Sequence, residues 1–164
     1  MAVTAANVVA GGASVLIGTD LGAIKEGVSM TLTVDMFTVD LEQEVIATKA
    51  FKTRNKLTCE FTLCEPTLEN IKIGWDVDNT VTAGPPRLLS AIDQQFTIQE
   101  RIIVVTGTTP GYAPFLRTVT LTRAVLETPG VLVFTKASEQ NMKLGFNCLA
   151  DGTNKAVTFS DAQA

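Results

Sequence analysis

Between Val28 and Met36 the chain changes polarity at every step. Val28, Met30, Leu32, Val34 and Met36 fall on one side of an extended backbone, and Ser29, Thr31, Thr33 and Asp35 fall on the other. A period of two sustained this long fits a β-strand with one buried face, because successive strand side chains point to opposite sides. The pattern returns downstream, with Leu57, Cys59, Phe61 and Leu63 set against Lys56, Thr58, Glu60 and Thr62. Strands of this kind need a second layer over their apolar faces, so the expected fold is mainly β, a sandwich or barrel.

Other segments fit the same architecture. Val15-Leu16-Ile17 reads as a short strand closed by Gly18-Thr19-Asp20, and Gly22 and Gly27 bracket a turn. The strand that contains Val28 is expected to run on through Val39 to Leu41. The stretch 42–55 carries Glu42 and Glu44, then Lys49, Lys52 and Arg54, with no clear period, and reads as a long connecting hairpin or loop. At Glu65-Pro66-Thr67 the period changes. Pro66 suits a first helical turn, Glu65 and Glu69 suit the positive end, and Leu68, Ile71 and Trp75 recur at helical spacing until Gly74 or the loop 76–79 ends the helix. After Gly84-Pro85-Pro86, strands are expected at 88–92, 96–106, 116–126 and 131–134, then around Leu144, Phe146 and Cys148, with a closing edge strand at 156–159. The domain plan is an Ala- and Val-rich arm (1–13), one β domain (14–160) and a short tail (161–164).

Composition narrows the function. The 164 residues suit a single domain with its own core. Formal net charge is −4, and no basic run interleaves with aromatics, which disfavours tight nucleic-acid binding. There is no histidine, so a Ser/His or Cys/His nucleophile pair is excluded and the commonest metal ligand is missing. Cys59, Cys64 and Cys148 lack CxxC spacing and read as reduced thiols. The first residues lack the positive segment of a secretory signal, and no apolar run reaches the length needed to span a bilayer. A soluble protein made in the cytoplasm is the expectation.

Several local motifs read more simply than they first look. Gly18-Thr19-Asp20-Leu21-Gly22 has neither the GK[ST] ending nor the GxGxxG spacing of a phosphate loop. Asp76, Asp78 and Asn79 lack the glycine and distant glutamate of a calcium loop. Nothing apolar flanks Glu42 and Glu44 that would shift a carboxylate toward acid–base work. No catalytic residue, cofactor-binding residue or metal ligand is therefore expected. Lys49, Lys52, Arg54 and Lys56 form a local basic cluster, read as a solvated loop, as a contact with acidic residues of a neighbouring subunit or, least favoured, as a nucleic-acid contact. The chain also echoes itself, Thr31-Leu32-Thr33 returning as Thr120-Leu121-Thr122 and Lys56-Leu57 as Lys143-Leu144.

Three segments carry a resemblance. Gly18-Thr19-Asp20-Leu21-Gly22 followed by Lys25-Glu26-Gly27-Val28, then Leu63-Cys64-Glu65-Pro66-Thr67-Leu68-Glu69-Asn70-Ile71, then Leu149-Ala150-Asp151-Gly152, resemble in this order the tail tube (major tail) proteins of tailed bacteriophages. The resemblance implies a β-sandwich with a flanking helix and six subunits per ring. Rings would stack into a hollow tube whose closed β-barrel lumen passes the genome into the host cell. The implied partners are sister copies, a tape measure protein, and tail terminator and baseplate proteins; DNA passes without specific binding, and no membrane insertion is implied. The implied location is the virion tail, after assembly in the host cytoplasm.

On this reading the polar faces Thr31, Thr33, Asp35 and Thr58, Glu60, Thr62 are expected to line the lumen, where hydroxyls and carboxylates would hold DNA phosphates weakly. The segment 40–55, with Asp40, Glu42, Glu44, Lys49, Lys52 and Arg54, is expected to stack on the next ring. The alternative from another class is a monomeric β-sandwich module that binds carbohydrate or a cell surface. An aromatic content of 6%, with one Trp and one Tyr, offers it little stacking surface.

Overall fold

The computed structural model describes residues 13–39, 49–77, 81–89, 98–108, 115–133, 140–153 and 155–163. It is mainly β with one short helix. The strands are β1 (Ser14–Ile17), β2 (Thr19–Asp20), β3 (Ile24–Val39), β4 (Lys49–Leu63), β5 (Arg101–Thr108), β6 (Phe115–Thr128), β7 (Met142–Cys148) and β8 (Val157–Gln163), with helix α1 (Leu68–Gly74) between β4 and β5. Neighbouring strands run antiparallel in the order β2-β1-β5-β6-β7-β4-β3, and β8 joins separately on β6.

The sheet forks at β6. One edge of β6 pairs with β5, while the other is shared: β8 takes Phe115 to Leu121 and β7 takes Ala124 to Thr128. The branches curl over one core in which Val15, Ile103, Leu121, Leu144, Phe146, Cys59 and Leu63 are buried together. Phe61 and Phe146, from β4 and β7, stack with centroids 5.7 Å apart and planes 14° from parallel. The described strands do not close into a barrel, since β2 and β3 end the order without pairing to each other.

Helix α1 closes one end of the core, though with a different face from the one its spacing predicts. Thr67 is its N-cap, its hydroxyl accepting from the Asn70 amide at 3.2 Å, so Pro66 precedes the cap instead of entering the first turn. The buried residues are Asn70, Ile73 and Gly74, whereas Trp75 is 38% exposed. Close approach to β7 decides this: a Cβ on Gly74 would lie 2.9 Å from Leu144 and Met142. Trp75 instead folds outward, and its indole N–H donates to the Gly130 carbonyl at 2.8 Å.

Asn70 holds the helix to the sheet entry by donating to the Leu21 carbonyl at 3.0 Å and the Glu65 carbonyl at 2.6 Å. Asn70→Ala strips two carbonyls of their donor at a site 4% exposed, and should cost about 2–3 kcal/mol. The check is a urea titration in which the midpoint drops at unchanged slope.

Two bulges correct the expected strand limits. The register passes from Asp35↔Arg54 to Met36↔Lys52, so Thr53 is an extra residue in β4. A bulge flips the phase of alternation, which is why 49–55 looks irregular in sequence while being strand, not loop. The second bulge, between Lys25 and Val28, lets β3 begin at Ile24, with Gly27 at φ 76 taking a conformation that a side chain would strain. The expected strand at 131–134 is not formed over Val131–Val133, because the Gly130 N–H is drawn to the Gly74 carbonyl at 2.9 Å. Leu88 and Leu89 are not in a strand, and 90–97 lie outside the described residues, as do 1–12 of the expected arm. β8 runs past Phe159 to Gln163, tied to β6 by a two-armed ion pair of Arg117 with Asp161 at 2.8 Å.

The internal echo is carried only by order and direction. Both segments form adjacent antiparallel strands, β3–β4 and β6–β7, and Leu32 pairs with Leu57. Their counterparts do not pair: Leu144 faces Phe61, and Leu121 faces Ile103 and Val157.

Candidate assembly surface

Beyond the core, β3 and β4 continue as a two-stranded ribbon. β7 covers β4 only from Leu57 to Leu63, so 49–56 pairs with β3 alone, and among the described residues β3 pairs with no strand but β4. A two-stranded ribbon is marginal in water, and an open strand edge is a template for pairing with another chain. Large apolar side chains stand on it in the open: Leu32 62%, Met36 65%, Phe37 59% and Phe51 54% exposed. Phe37 and Phe51 are direct cross-strand partners. They sit on the polar side of the hairpin, a departure from the Thr31–Thr33–Asp35 phase that is visible in the sequence and that sequence reasoning passed over.

All six residues expected to line a lumen lie on one face of the β3–β4 hairpin. Thr31 pairs with Thr58, Ser29 with Glu60, Thr33 with Lys56 and Asp35 with Arg54, so these side chains alternate away from the core side, as does Thr62 opposite Lys143 of β7. The face is charge-balanced. Glu60 pairs with Lys143 at 2.7 Å, Lys56 pairs with Glu127, and Asp35 sits across from Arg54. Such exposed pairs add little stability, but they cancel the field that the carboxylates would otherwise project.

The residues expected to stack on a neighbouring ring are divided. Lys52 pairs with Met36 on the core side of the ribbon, Arg54 lies on the opposite face, and Lys49 pairs with Val39 at the far end. Asp40, Glu42 and Glu44 lie outside the described residues. Asp76, weighed in the sequence as part of a metal loop, is a strut: at φ 54 it accepts from the Gln99 amide at 3.2 Å and pairs with the half-buried Arg101 at 3.0 Å, pinning the helix end to β5.

Burial pushes the Cys59 thiol up to about 12 and Cys148 up to about 11, so neither is a ready nucleophile. Hydrogen bonds from Arg117 lower Asp161, those from Arg123 lower Glu100, and those from the Lys155 and Thr153 backbone with the Thr153 hydroxyl lower Asp151. Carboxylates depressed on folding contribute stability that is full above their unfolded values and is lost as pH falls through the folded ones. Thermal melts should hold steady down to about pH 5 and decline toward about pH 2, and Arg117→Met should shrink that decline.

Among the described residues no group of three His, Cys, Asp or Glu side chains could hold a metal ion, and no helix is long and apolar enough to cross a membrane. Compared with known proteins, the chain matches no protein-family model and no curated protein.

Proposed function

We propose that the protein is a structural subunit of a phage tail tube, assembling with copies of itself into stacked six-membered rings that form a conduit for the genome. The observation that carries this reading is the ribbon: a long hairpin that leaves the core with a β3 edge to which no other described strand than β4 pairs and with four large apolar side chains in water. An isolated subunit gains nothing from that exposure, whereas a neighbour pairing along β3 would satisfy the edge and bury the apolar groups. Edge-to-edge pairing around a ring would complete the barrel that one chain leaves open.

In that arrangement the face carrying Thr31, Thr33, Asp35, Thr58, Glu60 and Thr62 lines the lumen. Its balanced charges, with Arg54, Lys56 and Lys143 among them, give DNA phosphates neither a strong hold nor a strong barrier, so the duplex slides. The ribbon end, with Lys49 and Lys52 leading to 40–48, meets the next ring, while Arg54 stays on the lumen face across from Asp35. Sister copies, a tape measure protein and the terminator and baseplate proteins are the partners, and the virion tail is the location. No step of this role needs bond-making chemistry, so the protein is read as no enzyme.

Negative-stain microscopy of the concentrated protein should show tubes or rings. Phe37→Glu with Phe51→Glu should abolish them while leaving a folded monomer by circular dichroism, because both positions lie beyond the core. A wild-type chain that stays monomeric at high concentration and binds glycans would replace this reading with that of a carbohydrate-binding module.

A further inference from the structure

Two strand edges of this chain carry the same mark. The first belongs to β3, which among the described residues pairs only with β4, and whose core-side residues Leu32 and Met36 are 62% and 65% exposed. The second belongs to β8, seven residues long, which among the described residues pairs only with β6. Phe159 lies opposite the buried Val119, so it too is on the core-facing side, and it is 64% exposed. Leu32 and Phe159 line a cleft of about 640 Å³ at the fork from different branches of the sheet, with Asn55, Leu57, Cys148 and Val157 also in its wall. At both edges, then, the described partners for the backbone and for core-side apolar groups run out at the same place.

We infer that β8 of one copy pairs along the outer edge of β3 of the next, over the stretch that holds Leu32, Val34 and Met36. The phases fit. β8 sets Val157 and Phe159 on one face against Thr158, Ser160 and Ala162 on the other, as β3 sets Leu32, Val34 and Met36 against Thr31, Thr33 and Asp35. Directly paired strand residues share a face, so a register that keeps Phe159 beside Leu32, Val34 or Met36 also brings Thr158 and Ser160 to the Thr31–Thr33 face. Asp161, the charged residue of β8, shares the phase of Phe159 but is already held by Arg117. Other edges match less well. β2 has two residues, and the open part of β4 presents Ala50, Lys52 and Asn55 on its core side, with no large apolar group to meet Phe159. Pairing β3 with β3 of another copy closes a two-fold contact and leaves Phe159 in water, whereas β3 with β8 covers both edges by one head-to-tail contact, the kind that generates rings. The inference rests on the self-assembly reading and adds to it which edges meet.

Disulfide trapping tests this in the full chain carrying Cys64→Ser, which leaves only the buried Cys59 and Cys148 as native thiols. Thr33→Cys protein is mixed with Thr158→Cys, Ser160→Cys or Ala162→Cys protein, all four positions being exposed, and oxidised with copper phenanthroline. Intact mass separates mixed dimers from dimers of one variant. At least one mixture should give mixed dimer at about tenfold the yield of dimer from either variant alone. Thr33→Cys combined with that β8 cysteine in one chain should then give a covalent ladder that continues past the dimer. Thr33→Cys protein that crosslinks to itself and stops at two overturns the inference in favour of β3–β3 pairing. Tubes or rings in micrographs of the same samples, with no mixed dimer from any of the three β8 positions, overturn it and leave the self-assembly reading standing. A chain that stays monomeric under these conditions overturns both.

Discussion

Phe146→Ala should remove about 3–5 kcal/mol of stability, enough to leave much of the population unfolded if the domain has ordinary marginal stability. Phe146 is 0% exposed and central to the core cluster. It pairs with Cys59 of β4 on one side and Leu126 of β6 on the other, so its ring sits where the two strands flanking β7 meet the core. Its stack on Phe61 adds an aromatic contact to the burial. Truncation loses the transfer free energy of the ring and leaves a cavity that neighbours on three strands cannot collapse to fill. Phe146→Leu, which keeps most of the apolar volume, should cost clearly less. Urea unfolding followed by circular dichroism measures both, and equal losses for the two variants would mean that ring volume is not what matters there.

Gly130→Val should be comparably damaging for the opposite reason, excess volume. A Cβ built at Gly130 would overlap Met142 Cγ and Sδ and lie 3.0 Å from Leu144 Cδ2. Met142 is itself fully buried, so it has nowhere to retreat without disturbing the core. The backbone cannot back away either, because the Gly130 N–H donates to Gly74 and its carbonyl accepts from Trp75. Overpacking of this kind costs about 1–3 kcal/mol for a methyl group, with valine at the top of that range or above it. Trp75 is the single tryptophan and its indole is anchored to Gly130, so its fluorescence should report the loss directly. Met142→Ala in the Gly130→Ala background should restore part of the stability, which a purely conformational effect at position 130 would not allow.

These two sites show why the tryptophan is neither a simple core residue nor a free surface contact. Trp75 spends its polar atom on the loop that Gly130 holds close, and the rest of the ring stays half in water. Val131 at 68% and Leu88 at 57% exposure add further apolar surface to the outside of the molecule. A subunit that spends its life among copies of itself can carry such surface, while a dilute monomer would risk aggregation.

Alternation along β3 and β4 was legible from the residues alone, because the direction of a strand side chain depends only on its own backbone and that of its neighbours. The faces Thr31–Thr33–Asp35 and Leu57–Cys59–Phe61 could therefore be assigned correctly before any partner was known. So could the presence of a helix after Glu65, since helix starts are short-range chemistry, although its cap falls on Thr67 and not ahead of Pro66. What the tertiary structure alone decided was everything that depends on distant residues. The bulge at Thr53 turned an apparent loop into strand, the closeness of Gly74 to Met142 and Leu144 chose which helix face is buried, and the fork at β6 set where the core remains uncovered. Pairing register and the supply of covering layers are settled by contacts across the whole chain, and a local pattern carries no record of which partner will arrive.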